Sequence, residues 1–210
     1  MSKKLGSYIV NLADNINPAI EKQIEANKEG RRVKSIGEIL LEMEVITQKD
    51  LETAVRLQRI DRLASCPIFS SLPNADLALM SNHFTEVSIP PGEQFIKQGE
   101  NDPVLYVIAD GRVQVSTINK FGSEITIAEL GEGEPIGEMG YFSGEARTAS
   151  VRALEQVQLL RAEYGDLSNC FEKAVSAALV FMQFVNQRQI ELEQMKKQTE
   201  FDPFAKLTRD

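Results

Sequence analysis

At Phe84 the apolar residues change their spacing. Before it they fall three and four positions apart; after it they fall two apart, with turn residues between the runs. Val87 and Ile89, then Phe95, then Leu105, Val107 and Ala109, then Val113 and Val115 follow this period. It is the pattern of strands that alternate between core and solvent. Pro90-Pro91-Gly92, Gly99-Glu100-Asn101-Asp102-Pro103, Asp110-Gly111 and Gly122-Ser123 punctuate the runs. Asp110-Gly111 between apolar alternations predicts a two-residue hairpin, and the last strands are expected near 149–153 and 157–161. Strands this short and evenly spaced predict a small antiparallel barrel or jelly-roll-like β-roll. With helices on both sides of it, the fold class is α+β.

The flanks return to helical spacing. Asn17-Pro18 predicts a helix start, with Asn17 as cap and Gly30 as the stop, and Ile20 and Ile24 share one face. Ile36, Ile39, Leu40 and Met43 repeat at helical spacing. Thr47-Gln48-Lys49-Asp50 resembles a capping box that opens a helix carrying Leu51, Ala54, Val55 and Gln58. Asn74 is expected to cap a further helix through Leu77 and Met80. Beyond Tyr164, a stripe of Phe171, Val175, Ala178, Met182 and Val185, widened by Phe181 and Phe184, predicts a long helix packed on the barrel. Lys196 to Asp210 is polar apart from Phe201 and Phe204 and is expected to be loose. The expected domains are a helical N-terminal module over 1–63, the β-roll over 64–170, and a C-terminal helix with polar tail over 171–210.

Charge and thiol content narrow the function. Among 210 residues there are 31 acidic against 23 basic side chains, a formal charge of -8. That argues against a nucleic-acid partner, whose phosphates need a basic footprint. Cys66 and Cys170 stand alone, His83 is the single histidine, and no metal cluster is expected. Incidental thiols suit a reduced, cytoplasmic setting. Leu5 to Leu12 is broken by Gly6, Ser7 and Asn11, so no secretory signal is expected. The most apolar run, Ala177 to Met182, is far short of the ~20 residues of a membrane span. No paired nucleophile and base and no triphosphate loop appears, so an enzyme is not expected.

Chemistry concentrates at Gly137-Glu138-Met139-Gly140-Tyr141-Phe142, followed by Arg147-Thr148-Ala149-Ser150-Val151. Glycines let a backbone approach a ligand closely, and a helical turn beginning there presents unpaired N–H groups to an anion. Arg147 can grip phosphate oxygens with two donors at once. Glu138 would repel phosphate but can accept hydrogen bonds from a sugar hydroxyl. Phosphate and ribose held together describe a nucleotide.

These residues resemble the phosphate-binding cassette of cyclic nucleotide-binding domains, the domains of catabolite activator protein, cyclic nucleotide-dependent kinases and nucleotide-gated channels. The resemblance runs from about Pro67 to about Val157. It includes Ile68-Phe69-Ser70-Ser71-Leu72, Ile89-Pro90-Pro91-Gly92-Glu93, Ile96-Lys97-Gln98-Gly99-Glu100, Leu105-Tyr106-Val107-Ile108 and Gly111-Arg112-Val113 in the family's order. Ala146 stands where many members carry proline. The resemblance implies cAMP or cGMP as ligand. Gly137, Glu138, Met139, Gly140, Ala146, Arg147 and Thr148 would form the cassette, and Val115 and Ile127 would present apolar surface to the base. Thr148 allows cGMP without demanding it. The last helix would lid the base, through Asn186, Arg188 or Gln189, or pair two subunits as a homodimer. No basic recognition helix follows it, so the expected output is contact with a protein partner, as yet unidentified, and the implied class is a bacterial second-messenger sensor.

A second resemblance lies upstream. Ser35-Ile36-Gly37-Glu38-Ile39-Leu40, Val45-Ile46-Thr47, Leu51, Ala54 and Gln58 resemble the N-terminal module of type II secretion and type IV pilus ATPases. Leu5-Gly6, Ile9, Ile20 and Ile24 form a degraded copy 31 positions earlier, in which Asn15 replaces the apolar residue matching Ile46. In some of those proteins tandem copies bind cyclic di-GMP. This implies an alternative, a cyclic di-GMP-responsive adaptor, beside a helical packing module and a non-sensing interaction module with a degenerate pocket.

Overall fold

The computed structural model describes residues 8, 13–28, 35–119, 122–144, 146–172 and 174–201. The chain divides into two compact units, 1–62 and 63–210.

α1 spans Ala13–Lys28 and α2 Ile36–Glu42, both in the first unit, and α3 spans Gln48–Ser65, its last residues belonging to the second. α1 begins a turn before the expected Asn17 cap, so Pro18 lies in its second turn, where the missing N–H removes one intrahelical bond. Ile24 is half exposed; Ala19 is fully buried and joins Ile39, Leu40, Ile46 and Ala54 in a small core. Leu5, Gly6 and Ile9 of the first copy, and Gly30, lie outside the described residues. The Thr47 box forms: Asp50 Oδ2 accepts from Thr47 N–H at 2.9 Å, and Thr47 Oγ1 accepts from Asp50 N–H at 3.2 Å. Ser35 and Glu38 make a second box that opens α2.

α2 ends in a Schellman turn. Val45 N–H donates to Leu40 O and Glu44 N–H to Leu41 O, with Glu44 at φ +55. A side chain in the left-handed region costs about 1 kcal/mol or more, which glycine avoids. Glu44→Gly is therefore expected to raise the stability of the helical unit by ~0.5–1 kcal/mol, read as a higher urea midpoint. An unchanged or lower midpoint would contradict the cap.

The second unit opens with α4 (Asn74–Met80), a short 3₁₀ turn over Ser81–His83, and then eight strands: β1 (Thr85–Ile89), β2 (Gln94–Ile96), β3 (Val104–Asp110), β4 (Val113–Ile118), β5 (Glu124–Leu130), β6 (Pro135–Ile136), β7 (Ser150–Ala153) and β8 (Val157–Glu163). α5 (Met139–Ser143) interrupts them after β6, and α6 (Tyr164–Phe171) and α7 (Val175–Phe201) follow β8. Asn74 is the first helical residue of α4, not its cap. Pro73 is the cap, and its carbonyl accepts from Asp76 and Leu77.

The strands form two four-stranded antiparallel sheets, ordered β1-β8-β3-β6 and β2-β7-β4-β5. This is an antiparallel β-roll with flanking helices. Asp110-Gly111 is a turn but not the expected hairpin, because β3 and β4 belong to opposite sheets. Gly111 takes φ +90 there, and a Cβ would lie 2.6 Å from Gln156 O. The chain thus crosses between sheets where only glycine fits.

β3 does not alternate between core and solvent: Val104 to Ala109 are all buried. Val104, Tyr106 and Ile108 face the roll interior with Ile136, Val151 and Leu159. Leu105, Val107 and Ala109 are buried on the other face, where a strand flanked on both sides and covered on both reads as a continuous apolar run.

The buried stripe of α7 also differs from expectation. Ala177, Phe181 and Val185 are buried, whereas Val175 is 65% and Met182 44% exposed. Phe181 packs against Phe171 at 5.3 Å and Tyr141 at 5.0 Å between ring centroids, and Phe171 stacks on Phe69 at 6.4 Å. This aromatic seam ties α7 to α5 and α6. α7 continues to Phe201, so 196–201 are helical rather than loose; 202–210 lie outside the described residues. His83 ends the 3₁₀ turn with Nδ1 3.9 Å from Asp166. Burial pushes the Cys66 thiol up to about 12, which makes it inert.

Candidate functional site

The cassette begins where β6 ends. Gly137 takes φ +85, and a Cβ at that position would lie 2.1 Å from Arg147 Nη1 and 2.8 Å from Val104 O. Glu138 then caps α5, a little over one turn of helix that stops at Gly144 in the left-handed region. The loop returns to Arg147, whose backbone is held on both sides. Its N–H donates to Glu100 O at 2.8 Å, and its carbonyl accepts from Gly99 N–H at 2.9 Å.

Arg147 is 6% exposed, and its guanidinium is almost fully committed. Nη2 donates to Asp102 Oδ2 at 2.9 Å and to Val104 O at 2.7 Å. Nη1 donates to Tyr164 Oη at 3.2 Å and to Gly137 O at 3.3 Å. Tyr164 in turn donates to Gly137 O. Nε is buried and has no hydrogen-bond partner among the described residues.

Glu138 is 8% exposed. Burial pushes its carboxyl above the usual range, opposed by backbone N–H groups at 137 and 138 and by the charges of Arg188 and Arg147. A carboxyl with a raised folded pKa binds its proton more tightly in the folded chain. Its contribution to stability is therefore greatest at acid pH and falls as pH rises from the unfolded carboxylate value through the folded one. Glu138→Gln is accordingly expected to raise the melting temperature at pH 8 and to leave it unchanged near pH 4. Equal shifts at both pH values would rule out a buried charge as the cause.

Both groups border one cavity of about 120 Å³, open at its mouth. Gly137, Glu138, Met139, Gly140, Arg147 and Thr148 line it from the cassette, and Val115 and Ile127 from the second sheet. Thr148 Oγ1 lies 3.6 Å from Met139 Sδ. Ala146 is half-buried and does not line the cavity. Across the cavity stand Arg188, Glu191 and Leu192 of α7. Of the three lid candidates in the sequence, Arg188 is the one at the cavity; Asn186 and Gln189 are exposed elsewhere on the helix. Arg188 is held by Glu134 Oε1 at 3.1 Å and lies 5.3 Å over the Phe184 ring. Glu134 Oε2 also accepts from Gly131 N–H, so one side chain holds both a sheet turn and Arg188.

Asp102 and Tyr164 were not legible as site residues. Asp102 reads in the sequence as loop punctuation and Tyr164 as a helix start, 45 and 17 positions from Arg147. Glu191 and Leu192 could have been found, since they fall one turn beyond Arg188.

Two antiparallel sheets thus enclose a mostly apolar cavity with a glycine turn, a buried acid and a buried arginine at its wall. Residues 86–174 match the family model of the cyclic nucleotide-binding domain. The cyclic AMP receptor protein of Thermus thermophilus is 34% identical over 94 residues, 45% of this chain and 44% of that protein. The cAMP-dependent protein kinase type II regulatory subunit of Drosophila melanogaster is 30% identical over 105 residues, 49% of this chain and 28% of its own length. The chain thus spans less than half the length of these relatives. The crystal structure of Thermus thermophilus catabolite activator protein superposes with a TM-score of 0.58 at 27% identity, covering 64% of this chain and 63% of that one. The helical unit lies outside residues 86–174. Among the described residues no helix is long and apolar enough to cross a membrane, and no group of His, Cys, Asp and Glu could hold a metal ion.

Proposed function

We propose that this chain is a sensor of a cyclic mononucleotide, cAMP or cGMP, that couples binding to contact with another protein and has no catalytic or DNA-binding output of its own. The observation that carries this is the convergence of Glu138 and Arg147, both nearly fully buried, on one cavity. A buried acid and a buried arginine at one cavity wall suit a ligand that hydrogen-bonds to both. In this reading Glu138 accepts from the ribose 2′-hydroxyl, Arg147 and the Gly137–Gly140 backbone hold the cyclic phosphate, and Val115 and Ile127 face the base. Thr148 lines the same wall, which keeps guanine and adenine both open. Arg188 closes the cavity from α7.

The output runs through α7, because it carries both the lid and the aromatic seam. Ligand shifts the helix only by its differential affinity for two arrangements. Val175, Leu179, Met182 and Ile190 of α7 are exposed, which supports pairing with a partner protein or a second copy through this helix. A reduced, cytoplasmic setting suits the lone thiols.

A second reading is favoured by the commitment of Arg147 to four protein contacts: a pocket whose arginine has become structural, in a module that no longer senses. Thermal unfolding with cAMP, cGMP and cyclic di-GMP separates the readings. A ligand at a hundred times its Kd stabilises by ~2.7 kcal/mol through mass action. A rise in melting temperature with cAMP or cGMP supports the sensor. A rise with cyclic di-GMP alone transfers sensing to the helical unit and its resemblance to secretion ATPase modules, and no rise with any of the three leaves the non-sensing module.

A further inference from the structure

We propose that Tyr164 is a positioning residue for the ligand's phosphate, acting through Arg147: its hydroxyl fixes the guanidinium so that Nε is the donor left for a phosphate oxygen. This rests on the cyclic nucleotide reading of the cavity.

Arginine has five N–H donors. Nη1 and Nη2 spend all four of theirs on Gly137 O, Tyr164 Oη, Asp102 Oδ2 and Val104 O. The fifth, on Nε, is buried without a partner, in a residue that lines the cavity. A buried N–H left unpaired needs an explanation, and a ligand oxygen accepting from it would supply one. Asp102 and Val104 fix one end of the planar fork. The other end is held by the Tyr164 oxygen at 3.2 Å and by Gly137 O at 3.3 Å, and Tyr164 ties these two acceptors together by donating to Gly137 O.

The phenol is itself clamped. Its ring stands edge-on to Tyr141 at 5.1 Å, and its backbone carbonyl accepts from Ser168 Oγ at 2.9 Å. Ser168 Oγ is also paired with Tyr141 Oη at 2.9 Å. Burial pushes the Tyr164 hydroxyl up to about 12, so it keeps its proton at neutral pH and can donate to Gly137 O while accepting from Arg147. Because the ring contacts do not use the oxygen, Tyr164→Phe removes one atom and leaves the packing.

The test is a double-mutant cycle on the full chain, with cAMP and cGMP titrated calorimetrically into wild type, Tyr164→Phe, Arg147→Ala and the double variant, and melting temperatures recorded alongside. Tyr164→Phe is expected to weaken the better-bound nucleotide about tenfold, the scale of one hydrogen bond to a charged group. In the Arg147→Ala background the same change is expected to weaken it less than twofold, because the oxygen then has no guanidinium to aim. A role through the Gly137 backbone alone would persist in that background, since Tyr164 still reaches Gly137 O there. Equal affinities of Tyr164→Phe and wild type overturn the proposal, as does a tenfold loss in both backgrounds. A wild type that binds neither nucleotide overturns the cavity reading first and this proposal with it.

Discussion

Gly137→Ala is expected to lower the stability of the β-roll by about 2–5 kcal/mol and to abolish the proposed nucleotide binding. Two independent terms add here. At φ +85 an alanine sits in the left-handed region, which costs an L-residue ~1–2 kcal/mol. Its Cβ would also lie 2.1 Å from Arg147 Nη1 and 2.8 Å from Val104 O. The first neighbour is a side chain already held by four acceptors, and the second is strand backbone. Neither can yield cheaply, and overpacking adds ~1–3 kcal/mol. A domain with ~5–15 kcal/mol of total stability feels such a loss strongly. Chemical denaturation of the purified variant should show the midpoint falling. A variant as stable as wild type, with nucleotide affinity intact, would mean that the Gly137 turn is not the close approach described.

Arg147→Ala is the second large effect, and it acts on binding and folding together. Loss of one charge-assisted grip on the phosphate should cost ~2–3 kcal/mol, roughly thirty- to a hundred-and-fiftyfold in affinity. The same truncation strands Asp102 without its cation, and leaves Val104 O without the 2.7 Å donor it has now. Removing one partner of a largely buried pair typically costs more than the pair contributes. Asp102 is 35% exposed, so water recovers part of that loss. About 1–3 kcal/mol of destabilisation is therefore expected, visible as a drop in melting temperature without ligand. Full nucleotide affinity in a folded Arg147→Ala would remove the arginine from the site.

How much of this was readable from the chain follows from how local each signal is. The cassette lies within 137–148, and its glycines, acid and arginine announce their chemistry at fixed short spacing. Their meeting at one cavity follows from that spacing. The turn at Asp110-Gly111 was equally local and is a turn, but which strands pair across it is not local information. The chain uses it to change sheets, so the hairpin expected there does not form. In α7 two stripes overlap at helical spacing, Val175–Ala178–Met182–Val185 and Ala177–Phe181–Val185. Periodicity accepts both, and the aromatic seam with Phe171 and Tyr141 buries the second. Asp102 and Tyr164 had no local signature at all, because each acquires its role only when separate strands bring it to Arg147. In β3 the alternation failed for a related reason: a strand covered on both faces has no solvent side to write into its sequence.

The central claim is that Glu138 and Arg147 are kept buried to hold one small messenger between them. Titration calorimetry of the wild-type chain with cAMP and with cGMP at neutral pH tests it most directly. Saturable heat with a single site per chain, for at least one of the two, is the expected result. No heat with either nucleotide at about 1 mM, and no change in melting temperature, would contradict it.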